Sequence, residues 1–140
     1  MPITRPVTKT IISTTQWGIP ITDEVNALRT ELDALRPTVW TNVTLQNGWT
    51  NVGGQQAMQY RKIGDVVYLR GLIGGGTIPS IFGLLPVGFR PPVSLSFAIR
   101  CWTGSADAIA CVNIYTNGNL EFASGFNQFA APNILFSITA

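Results

Sequence analysis

The chain has 140 residues, which suits one domain with small appendages. Charged residues make up only 11% and the net charge is +2; no Lys/Arg run forms the patch a nucleic-acid binder needs, and no apolar run approaches the ~20 residues of a membrane span. Histidine is absent, and Cys101 and Cys111 form no CxxC pair, which removes the commonest general base, the Ser-His and Cys-His nucleophile systems and a zinc site. No cofactor is expected.

Residues 1–20 read as an extended arm, because Pro2, Pro6 and Pro20 all disfavour a helix. The opening MPITRPVTKTII lacks the apolar core and cleavage site of a secretory signal, so synthesis in a cytoplasm is expected. Ile11, Ile12, Trp17 and Ile19 need a surface to bury them. They either dock on a larger body as an anchor or fold back on their own assembly.

Residues 21–37 read as a short helical stalk. Ile21, Val25, Leu28, Leu32 and Leu35 step by 4, 3, 4 and 3, the a/d rhythm of a coiled coil. With Val25 and Leu32 at a and Ile21, Leu28 and Leu35 at d, Glu24 and Glu31 fall at g while Arg29 and Arg36 fall at e. Each Glu sits five residues before an Arg, so the pairs can meet across parallel chains. The alternative is one amphipathic helix with solvated flanks. Thr22 is the expected N-cap, Arg36 is expected in the last turn, and Pro37 stops the helix.

Residues 38–140 read as β throughout. Strands are expected at Val39–Leu45, Ala57–Ile63, Val66–Ile73, Leu95–Trp102, Ala108–Tyr115, Leu120–Ala123 and Ile134–Thr139. Asn47-Gly48, Gly64-Asp65 and Asn117-Gly118 supply turn chemistry between them. Short strands with tight turns and no second helix predict a mainly β chain whose knob is an antiparallel β-sandwich or jelly roll. Ile78–Pro92, with four prolines, is expected to cross between sheets. Alternation nominates Val43, Leu45, Val67, Leu69, Phe97, Ile99, Val112, Ile114, Ile134 and Phe136 as core. Val66, Tyr68 and Ile109 on the other register are also apolar, which predicts a second face covered by another subunit.

Three stretches within the knob, the first of them Asn47-Gly48-Trp49-Thr50-Asn51, carry a resemblance. Tyr60-Arg61-Lys62-Ile63-Gly64-Asp65-Val66-Val67-Tyr68-Leu69-Arg70-Gly71 precedes Leu85-Pro86-Val87-Gly88-Phe89-Arg90-Pro91-Pro92. In this order they resemble the C-terminal knob of tailed-bacteriophage appendage proteins: tail-fibre tips, minor tail proteins, and head fibres or decorations. The resemblance implies a virion structural protein, homotrimeric, fixed to capsid or tail proteins by its N-terminus. The number three comes from the resemblance alone; Val at a with Leu at d is compatible with two strands.

Of the acids, only Asp107 and Glu121 could approach each other on adjoining strands, and a glycosidase pair would need ~5–9.5 Å between carboxyls. Edge solvation explains them more simply, and no enzyme is expected. For glycan binding, aromatic rings beside amides are the useful chemistry. Trp49 with Asn51, the Tyr115–Asn119 loop with Asn117, and Asn127 between Phe126 and Phe129 fit that chemistry. In the alternative, Trp49 plugs the barrel end and the two Phe pack between subunits. A hairpin centred near Ala106 would set Cys101 opposite Cys111; free thiols suit cytoplasmic assembly better than a disulfide. Two roles follow. The first is decorating or reinforcing the particle, favoured because the helix reaches only about 20–25 Å. The second is adhesion to host carbohydrate.

Overall fold

The computed structural model describes residues 21–139. Ile11, Ile12, Trp17 and Ile19, the candidate anchor, lie outside the described residues. The chain divides into two compact units at Arg36/Pro37.

In the first unit, α1 spans Ile21–Leu35, with Asp23 and Glu24 in the first turn where the helix dipole favours them. Two end details differ from expectation. Thr22 lies inside the helix rather than capping it. Arg36 falls just past the last turn, where its Nε pairs with Asp33 Oδ1 at 3.3 Å. Val25, Leu28, Leu32 and Leu35 are 42%, 65%, 55% and 63% exposed, so the apolar stripe is open in the single chain.

The second unit is an antiparallel β-sandwich. Its strands are β1 Thr41–Asn42, β2 Thr50–Asn51, β3 Gln59–Ile63, β4 Val66–Arg70, β5 Ile73–Gly74, β6 Ser80–Leu84, β7 Leu95–Trp102, β8 Asp107–Ile114, β9 Asn119–Ser124, β10 Phe129–Ala131 and β11 Ile134–Ser137. One sheet has the order β1-β3-β4-β11 and the other β2-β5-β10-β7-β8-β9-β6. Every expected core residue is buried or packs against the buried cluster, Leu45 and Phe97 from its margin. Around them Trp49 stacks on Phe122 at 4.5 Å, and Phe82 meets Phe122 edge-on at 6.2 Å.

Three expectations change. The run Val66–Ile73 is two strands, because the chain leaves the four-stranded sheet after Arg70 and enters the seven-stranded sheet at Ile73. Gly71 makes the step: a Cβ there would lie 2.5 Å from Met58 Cα, so no other residue fits without moving backbone. Ile78–Pro92 does not change sheets. It carries β6, and β5 before it and β7 after it belong to that same sheet. Val39–Leu45 keeps only two paired residues, Thr41 and Asn42, opposite Tyr60 and Gln59.

The second and third of the family-like stretches meet each other in the fold. Lys62 Nζ donates to Gly88 O at 2.8 Å and lies 4.9 Å from the centre of the Phe89 ring, which meets Tyr60 edge-on at 5.0 Å. Arg90 Nε donates to Leu85 O at 2.8 Å, and Leu85 is fully buried. Leu85 N in turn donates to Gly118 O at 2.8 Å, tying this loop to the β8–β9 turn.

Candidate functional site

The outer face of the seven-stranded sheet gathers a polar cluster. Alternation along β8 sends Ala110, Val112 and Ile114 into the core and leaves Ile109, Cys111 and Asn113 on the outer face. Asn113 lies opposite Ser96 of β7 and Glu121 of β9. Asn113 Nδ2 and Tyr115 Oη both donate to Glu121 Oε2 at 2.8 Å, and Ser96 Oγ donates to Asn113 Oδ1. The hydrogen bond to Glu121 raises the Tyr115 hydroxyl above its ordinary 10.0; the bond from Asn113 opposes it. Glu121 Oε1 has no protein partner among the described residues. The cluster therefore offers a carboxylate oxygen, a phenol and an amide, a set that hydrogen-bonds hydroxyl groups.

Beside it the same face becomes apolar. Ala98, Ile109, Cys111 and Ser124 line a shallow depression, with Ile109 75% exposed. Arg100 Nη2 pairs with Asp107 Oδ1 at 2.6 Å at its far end. Asp107 lies six residues along β8 from the partner of Glu121, about 20 Å at ~3.3 Å per residue, so the two carboxyls form no catalytic pair. Among the described residues no three His, Cys, Asp or Glu side chains group together. No helix there is long and apolar enough to cross a membrane.

The other glycan candidates fare differently. Trp49 is 2% exposed, and its indole Nε1 donates to Ser80 Oγ at 3.1 Å, so it offers no ring face to a sugar. Gly76 makes room for it, since a Cβ there would sit 2.1 Å from the ring. The amides are partly committed to the backbone. Asn51 Oδ1 accepts from Met58 N at 2.8 Å, Asn117 Oδ1 from Asn119 N at 3.0 Å, and Asn127 Nδ2 donates to Gly76 O at 2.6 Å. Phe126 and Phe129 remain open at 49% and 42%. Of the glycan-binding residues nominated from sequence, Tyr115 alone joins the polar cluster. Asn113 and Ser96 were missed, although the period of two along β8 already put Asn113 on one face with Cys111 and Tyr115.

Cys101 and Cys111 are free thiols. Cys101 pairs with Ala108 and Cys111 with Ala98, so the hairpin turns nearer Gly104-Ser105 than Ala106. Cys111 is three residues from the partner of Cys101 and so faces the other side of the sheet.

A family model described as "YomR C-terminal beta sandwich domain" matches residues 34–131. Two solved structures share the fold. The receptor binding protein (gp15) of Listeria phage PSA aligns over 92% of this chain and 82% of its own, at 15% identity and TM-score 0.66. The head domain of the lactococcal phage bIL170, from a study of lactococcal phage receptor binding domains, aligns over 72% of this chain and 98% of its own, at 16% identity and TM-score 0.54. Among curated proteins none matches the chain by sequence. The resemblance to phage appendage knobs thus holds at the level of the fold.

Proposed function

The chain belongs to the YomR C-terminal beta sandwich domain family, and from that premise we propose that it is a receptor-binding appendage of a bacteriophage virion, working without catalysis. Three copies join through the apolar stripe of α1, the N-terminal arms fix them to the particle, and the knobs meet the host surface. The observation that carries this reading is the extent of the shared fold, which takes in 92% of this chain in one phage receptor binding protein and 98% of the head domain in another. It moves adhesion ahead of decoration, reversing the order that the short helix alone suggested.

The polar cluster around Glu121 suits the task, because its free acceptors and the Tyr115 ring meet a sugar without large rearrangement. Decoration of capsid or tail stays the second reading, favoured by the reach of α1, fifteen residues or roughly 22 Å.

The test is competition. Purified full-length chain, added to host cells before phage, should occupy the receptor and slow adsorption of the particles that carry it. Full-rate adsorption at saturating chain, with a label on the chain found over the shell and not at the tail, would instead support decoration.

A further inference from the structure

We propose that the outer face of the four-stranded sheet carries an oxyanion site, built by Arg61, Arg70 and Trp40, which takes an acidic saccharide. The saccharide rests on the host-surface reading; the anion chemistry stands on geometry alone. Val67 and Leu69 of β4 point into the core, at 0% and 3% exposure, so Tyr68 and Arg70 take the opposite face. Gln59 pairs with Arg70 and Arg61 with Tyr68. The two arginines are thus diagonal neighbours on one face, roughly 7–8 Å apart at their backbones.

Both guanidinium groups lie against one indole. Arg61 Cζ is 4.5 Å and Arg70 Cζ 3.8 Å from the centre of the Trp40 ring. Arg70 is fixed further by Nε and Nη2, which donate to Gln59 Oε1 at 3.2 and 2.8 Å. Gln59 Nε2 donates to Asn42 Oδ1 at 2.8 Å, and Gln56 Nε2 donates to Gln59 Oε1 at 3.1 Å. Arg61 Nε is buried and has no hydrogen-bond partner among the described residues.

Among the described residues no carboxylate of the knob pairs with either arginine. From residue 37 onward the acids are Asp65, Asp107 and Glu121. Asp107 is paired with Arg100, Glu121 sits on the other sheet with Tyr115 and Asn113, and Asp65, in its hairpin turn, forms no ion pair among the described residues. Two like charges are therefore gathered at one indole, where the ring's quadrupole and the Gln59 amide oxygen offset them. An oxyanion relieves that repulsion, and planar guanidinium forks match carboxylate and phosphate oxygens in pairs. The stacking and the Gln59 network have already ordered the side chains, so little freedom is lost on binding. The neighbouring amide of Asn42 supplies a hydrogen-bonding group for sugar hydroxyls.

The experiment follows the Trp40 indole and Arg61 Nε–H resonances of the isotopically labelled full-length chain during titration. The probes are inorganic phosphate, glucose 6-phosphate, glucuronate and glucose. Saturable shifts with glucose 6-phosphate or glucuronate, weakening as salt is raised, are expected. Phosphate and glucuronate as separate arms tell the two anions apart. Arg61→Gln should weaken binding at least tenfold, and Arg61→Lys, which keeps the charge and loses the fork, by less. Arg100→Gln, on the other sheet, should leave it unchanged. Shifts equal to those with glucose, no shift with any acid, or binding unaltered in both Arg61 variants would overturn the site. So would a fall in oligomer mass without a change in affinity, which would make the face a subunit contact. If wild-type chain still competes for host cells while the anion arms stay silent, this inference fails and the host-surface reading survives.

Discussion

Tyr115 shows how one residue can report on the polar cluster. Its hydroxyl donates to Glu121 Oε2 at 2.8 Å, and that bond is the largest cause of its upward shift from 10.0. A folded value above the unfolded one means that the proton is held more tightly in the native state. The contribution is therefore complete below pH 10 and lost as pH rises through the folded value. Tyr115 should therefore ionise above 10.0 in a titration of tyrosinate absorbance. Tyr115→Phe should remove that component. Glu121→Gln keeps an acceptor but removes the charge, and should bring Tyr115 back toward 10.0; an unchanged titration would show that the bond is not formed in solution. Trp49 makes the opposite point about reading single residues. An indole between Asn47 and Asn51 looks the same in sequence whether it faces a sugar or a core. What decides is Phe122, seventy-three positions away, with its ring 4.5 Å from the indole.

At the scale of the element, α1 has a stripe that its own chain leaves open, with Leu28 and Leu32 65% and 55% exposed. Leu and Ala have nearly the same helix propensity, so Leu28→Ala with Leu32→Ala costs an isolated helix only a few tenths of a kcal/mol. If the stripe joins copies, the pair of changes instead removes two buried side chains per subunit, about 2–5 kcal/mol each. Sedimentation should then show dissociation at concentrations where the wild-type chain, 15.1 kDa per copy, stays assembled. An unchanged mass would mean that the helix is not the seam. The Arg36–Asp33 pair, 67% and 58% exposed, is too solvated to oppose an Arg36–Glu31 pair between chains by more than ~1 kcal/mol. The same scale sets what the sequence could reveal. The helix and the long strands β7 and β8 were legible because fifteen or eight residues give a period to read. β2 and β10, of two and three residues, give none; they exist because β5 and β7 offer edges to pair with. The Ile78–Pro92 loop concealed β6 for a related reason. Its strand is bounded by prolines and interrupted by a register shift at Ile81/Gly83, so local composition argued against pairing that the β9 edge supplies.

For the whole molecule, the division at Arg36/Pro37 separates two jobs that need different chemistry. A knob that meets a surface needs exposed, preorganised polar groups, and both sheets of the sandwich provide them on their outer faces: Glu121 with Tyr115 on one, Arg61 and Arg70 on the other. An arm that holds a particle needs apolar side chains that find cover only on assembly, which is how Ile11, Ile12, Trp17 and Ile19 read in the sequence. Under the appendage reading these jobs are separable by deletion. The knob has its own buried core, with Val67, Phe82, Leu120 and Phe122 at 0% exposure. A chain lacking residues 1–20 should therefore fold, with an unfolding midpoint within a few degrees of the full chain. It should still compete with phage for host cells, yet be missing from particles assembled in its presence. Incorporation at the wild-type level would put the anchor elsewhere. Loss of competition together with incorporation would mean that the arm is needed to align the knobs, so that binding depends on several weak sites engaged at once.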